Sequence, residues 1–253
     1  MVSTGANVGG LAIGPLVSGA LAQYVTQPLR VPYIVFGVLL LAAIAAVAVT
    51  PETVEALPVR PRYRPQRVSM NHGDRAGYAS AAAIGFASFA INGVYTALSA
   101  GFVAGTLHRS SHLLAGTVAF ALLAAATVAQ TATSRMSQRS RRGFGLIAGA
   151  AGFILLAIGI QAQSLTIFLL AGVIGGAGSG MLFKSAIGAV AALAAPAKRG
   201  EALSGLFLIC YAGMSLPTVG IGIAVNYISL TIAVYWFSAI LLVVLAATTI
   251  LTL

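Results

Sequence analysis

Acidic residues are nearly absent from this 253-residue chain, where four Asp and Glu stand against fourteen Lys and Arg. Charged residues of all kinds make up 7% of it. A water-soluble domain carries roughly a quarter of its residues as charges, because a wetted surface has to be covered by polar groups. This chain cannot cover one. Cysteine is represented by Cys210 alone, which excludes an internal disulfide and leaves a small thiol to pack within an apolar run. Histidine is as scarce: His72, His108 and His112 fall in loops or at the edges of apolar runs, without metal-ligand spacing. No nucleophile–base pair, paired carboxylates or phosphate-cradling loop is present. The expectation is therefore a non-enzyme with no metal and no cofactor. Met1 to Thr4 also lacks the positive n-region of a cleavable signal peptide.

What fills the chain instead is apolar, with 59% hydrophobic residues and a mean hydropathy of +0.98. A spanning helix needs about 20 mostly apolar residues to cross roughly 30 Å of hydrocarbon. That length picks out eight candidate spans: Asn7–Thr26, Val31–Thr50, Gly77–Gly105, His112–Thr133, Gly143–Ala162, Leu165–Ala195, Ala202–Asn226 and Ser229–Leu253. Between them lie short polar turns and one long loop, Pro51 to Ala76, with four prolines and five arginines. The expected fold is an all-α, polytopic transmembrane helical bundle.

The net charge of +10 does not point to nucleic acid, because the cations sit in short segments between apolar runs. Arg60, Arg62, Arg64, Arg67 and Arg75 follow the second span, Arg135, Arg139, Arg141 and Arg142 the fourth, and Lys198 and Arg199 the sixth. The opposite side carries Arg30 and Arg109. Eleven cations against two place the Arg-rich loops, and with them both chain ends, in the cytoplasm of a cell (inner) membrane.

Glycines at four-residue spacing, among them Gly10 and Gly14, Gly101 and Gly105, Gly145 and Gly149, and Gly172, Gly176 and Gly180, suit helices that approach closely in lipid. Gly10-Leu-Ala-Ile-Gly14-Pro15-Leu-Val-Ser18-Gly19 adds a proline, which removes a backbone hydrogen bond and kinks the helix. Flanking glycines would let a partner helix reach the bend.

That stretch resembles the G-x-x-x-G-P-x-x-G-G pattern in the fifth helix of major facilitator superfamily antiporters, with Ser18 in place of a glycine. The turn from Ser134 to Arg142 looks like a degraded copy of the family's G-x-x-x-D-R-x-G-R-R loop, lacking the aspartate and the glycines. The other reading of this turn, and the favoured one, is an ordinary positive-inside turn. The order of elements from Gly172 to Gly205 is similar to the family's tenth and eleventh helices. The resemblance implies helices five to twelve of an MFS-like fold. Residues 1–50 would be the last two helices of an incomplete N-terminal bundle, 51–76 a basic cytoplasmic interdomain loop, and 77–253 a complete six-helix C-terminal bundle. The first four helices would be missing, so the fragment would not transport alone. The implied function is secondary active transport of a small molecule, with proton-coupled efflux as its most specific form. The implied partners are the lipid bilayer, a small-molecule substrate and a proton. The competing expectation is a non-transporting membrane scaffold or subunit.

Candidate cavity residues follow. Lys184 is the charge that falls well inside a span, where a cation marks an ion or substrate path or snorkels to the headgroups. Asn92 and Tyr95 share one helix face and either line a cavity or bond two helices together, and Gln130 has the same two readings. Tyr211, Gly213, Ser215 and Pro217 would locally break the seventh span and expose carbonyls, or serve packing. Tyr235 and Trp236 fit an interfacial belt.

Overall fold

The computed structural model describes residues 2–51 and 74–250, with side chains at 9–51 and 74–247. Arg60, Arg62, Arg64, Arg67, His72 and three of the loop prolines lie outside the described residues, as do both chain ends. The described chain is all-α, with eight helices: α1 Val2–Tyr24, α2 Val31–Ala48, α3 Arg75–Gly101, α4 His112–Ala132, α5 Gln138–Gln161, α6 Leu165–Leu193, α7 Arg199–Ala224 and α8 Leu230–Ile250.

Short polar residues start most of them. Asp74, Ser111, Ser137 and Ser164 each accept a hydrogen bond from an amide three residues on, satisfying one of the donors that a helix start leaves bare. A π-helical turn, Phe102–Thr106, ends α3, with the Leu107 amide donating to the Phe102 carbonyl at 2.9 Å. Between α5 and α6 the chain turns through Gln163 at φ 49°, a left-handed conformation uncommon outside glycine.

Seven helices, α2 to α8, are long and apolar enough to cross a membrane. The decisive one is α2. It has no buried residue, and Leu39, Leu40, Leu41 and Ile44 are all exposed. An apolar helix uncovered on every side is at rest only where the solvent is hydrocarbon and its backbone bonds are closed internally. The chain is an integral membrane protein, a polytopic helical bundle in contact with lipid.

The bundle is built around α6, which packs against α5, α4 and α3; α3 also packs against α7, and α1 lies along α4. Glycine sets the distances. A methyl group at Gly152 would run into the backbone of Gly175, and one at Gly176 or Gly180 into the carbonyls of Leu122 or Ala126 on α4. Lipid supplies no hydrophobic force between helices, so such close approach, with its dispersion contacts, holds them together. Phe102, Phe168 and Tyr95 fill the space between α3 and α6, stacked at 4.1 Å and 4.7 Å between ring centres.

The structure departs from the sequence expectation in three places. First, α5 begins at Gln138 and not at Gly143, and α7 at Arg199 and not at Ala202. An apolar window is blind to a polar first turn that continues the helix into headgroups or water. Second, of the glycines in the Gly10–Gly19 motif only Gly19 meets another helix, against Gly116 and the His112 carbonyl of α4, where the Pro15 carbonyl also abuts Gly116. Gly10 and Gly14 face open space, as do Gly101 and Gly105, because no described helix covers those sides. Third, α7 runs unbroken through Pro217. The Ser215 and Thr218 hydroxyls bond to the carbonyls of Tyr211 and Met214 one turn back, while the carbonyl that the proline leaves without its amide donor is that of Gly213.

Candidate functional site

The middle of the bundle carries a groove floored by α3 and walled by α6 and α7. Along α3, Phe89, Asn92 and Thr96 are half-buried among fully buried neighbours, and their spacing puts them on one stripe. Phe183 of α6 meets Phe89 edge-on at 5.0 Å, and Tyr211 of α7 meets it at 5.7 Å. Phe207, one turn before Tyr211, lies 5.8 Å from Phe183 and 6.5 Å from Tyr211. The four rings form an aromatic wall whose outer members are open, Phe207 at 36% and Tyr211 at 54% exposure.

Beside this wall lies the groove's polar element. The Ser179 hydroxyl donates to Asn92 Oδ1 at 2.9 Å. The Ser88 hydroxyl donates to the Ser179 carbonyl at 2.9 Å, with the two hydroxyl oxygens 3.2 Å apart. The amide is thus held by its carbonyl end. Among the described residues nothing accepts from its Nδ2, which leaves two N–H donors for a ligand. Ser88, Ser179 and Tyr211 each fall at or beside the centre of their helices, so the groove sits at mid-membrane depth.

The structure disperses the other candidates. Tyr95 is 2% exposed; its hydroxyl donates to the Phe168 carbonyl at 2.7 Å and its ring covers Gly172, an interhelical bond between α3 and α6. Lys184 reaches across from α6 to α4, where Nζ donates to the Gln130 carbonyl at 2.6 Å. That carbonyl lies in the last turn of α4, where the helix dipole is negative and a cation is stabilised. The Gln130 side chain is buried. Ser215 is exposed on α7 and spends its hydroxyl within its own helix. Only Asn92 and Tyr211 come together at the groove.

Sequence reasoning missed Ser88, Phe89, Ser179, Phe183 and Phe207. Phe89 and Asn92 stand three apart, which is legible as a stripe. Ser179, however, lies within a glycine run that reads as packing alone. Among the described residues no three His, Cys, Asp or Glu side chains gather. No known family model matches this chain, and no characterised protein matches it in sequence.

Proposed function

We propose that this chain serves secondary active transport of a small molecule across the membrane, in the manner of the major facilitator carriers. One observation carries the reading: three helices bring an amide donor and four aromatic rings to the same groove at mid-membrane depth. Polar groups at that depth are costly in hydrocarbon, and transporters place their substrate sites there. The element order and the proline–glycine motif of α1 support the same family. A proton is the coupling ion this reading favours, and efflux is its direction.

The test needs no substrate. In a Cys210→Ser background, Asn92→Cys is labelled with a membrane-impermeant maleimide in right-side-out and in inside-out vesicles. A carrier that alternates its access reacts from both compartments. Labelling from one side only, or from neither, would refute the proposal. Labelling from neither side favours the second reading, a non-transporting scaffold. The observation behind that reading is α2, whose uncovered surface suits a partner within the membrane.

A further inference from the structure

Around the Asn92 amide the polar hydrogens are already committed. The Ser88 hydroxyl gives its proton to the Ser179 carbonyl, and the Ser179 hydroxyl gives its proton to Asn92 Oδ1, both at 2.9 Å. The Thr96 hydroxyl donates to the Asn92 backbone carbonyl at 2.7 Å. Asn92 Nδ2 differs. Nothing among the described residues accepts from it, and the nitrogen keeps accessible surface. Because Oδ1 is held from the neighbouring helix, the amide presents its two N–H groups and is not free to turn them away. What this part of the groove asks of a ligand is an acceptor.

The rings beside it ask for another ring. Phe89 meets Phe183 and Tyr211 edge-on, at 63° and 84° between planes, and Phe183 meets Phe207 at 72°. The members on α7, Phe207 and Tyr211, remain open, with 6.5 Å between their centres. In water such a surface would attract any apolar molecule. Within a bilayer it does not, because lipid tails already cover apolar side chains and burial alone gives a ligand no advantage. A ligand displaces those tails only through what hydrocarbon lacks. Ring-on-ring contact adds attraction beyond the area covered, and an acceptor satisfies the amide donors.

We propose that the groove binds a flat aromatic molecule carrying a hydrogen-bond acceptor, a carbonyl or a ring nitrogen, with its rings on the aromatic wall and its acceptor at Asn92 Nδ2. The proposal rests on the transport reading for the purpose of the groove, and it names the class of molecule carried.

Binding of tritiated fluorenone to the full chain in neutral detergent, read by scintillation proximity against protein-free micelles, tests it. Fluorene has the same rings and no acceptor, and dicyclohexyl ketone has the carbonyl and no aromatic ring. Fluorenone is expected to bind saturably, and both competitors to displace it less well than unlabelled fluorenone does, fluorene by about fivefold, as one neutral hydrogen bond implies. In Asn92→Ala the preference for fluorenone over fluorene disappears. In Phe207→Leu both ring compounds weaken together, by about threefold, and the preference stays. No saturable binding, equal displacement by fluorene or by the aliphatic ketone, or a preference that survives Asn92→Ala would overturn the proposal. If Asn92→Ala does not fold, the three compounds decide it in the unmodified chain. Binding and access fail separately. Fluorenone bound by a chain whose Asn92→Cys form is labelled from one side only removes transport and keeps the site; labelling from both sides without fluorenone binding does the reverse.

Discussion

Replacing Ser179 by alanine removes the hydroxyl that holds the Asn92 amide, and leaves the Ser88 bond to the Ser179 carbonyl in place. The reciprocal change, Asn92→Ala, leaves the Ser179 hydroxyl with Ser88 at 3.2 Å. Asn92→Ala therefore strands little, Ser179→Ala leaves the Asn92 carbonyl oxygen without its partner, and the term of interest is their coupling. Interhelical side-chain bonds in membranes average roughly 0.6 kcal/mol and reach about 1.7. The Ser179–Asn92 bond, at 2.9 Å, joins the middle stretches of α3 and α6, away from water, so the upper part of that range, about 1 kcal/mol or more, is expected. Unfolding of the four members of the double-mutant cycle by sodium dodecyl sulfate in mixed micelles, read by pulse proteolysis, measures it. The cycle cancels the packing lost in each variant, which a single substitution does not. A coupling indistinguishable from zero would mean that the bond does not hold the amide. The claim that Asn92 presents its N–H groups in a fixed direction would then fall with it.

Gly180→Val places a branched side chain against the Ala126 carbonyl of α4, a backbone atom that cannot swing aside. It should cost at least about 3 kcal/mol in the same unfolding assay, whereas Gly10→Ala, which meets open space, should be within about 0.5. Lys184→Met should loosen the end of α4 by about 1 kcal/mol, seen as faster amide exchange through Thr133–Arg135, and Lys184→Arg should restore most of it. Unchanged exchange in Lys184→Met would show that the ammonium does not anchor that helix end.

Most of the fold was legible because lipid as a solvent leaves few options. Apolar runs of spanning length must be helices, and their ends are marked by the polar turns between them. α4 was read almost to the residue for that reason, and α5 and α7 were cut short where the helix continues into polar sequence. The site was far less legible. Asn92 was visible because an amide inside an apolar run has few explanations. Tyr95, three residues on and also carrying a hydrogen-bonding group, has the opposite fate: its ring turns into the α3–α6 contact, and only packing decides that. Arg141 read as one of four interchangeable loop cations, yet it is buried inside α5 while its neighbour Arg139 is exposed. Charge counting cannot separate the two, because burial depends on which side of α5 leans on α6.

The turn through Gln163 has a consequence in time as well as in space. It leaves almost no slack between α5 and α6, and it aligns Gly152 with Gly175 and Gly149 with Gly178, pairs fewer than thirty positions apart. Every partner in that interface exists once Leu193 has been synthesised. By contrast, the Tyr78 hydroxyl waits for the Ala202 carbonyl, and Gly93 for Met214 and Thr218. The α5–α6 pair can therefore close while the rest of the chain is still being made, as α1 and α4 can before it, whereas α3 stays unpaired on its α7 side until that later helix is complete.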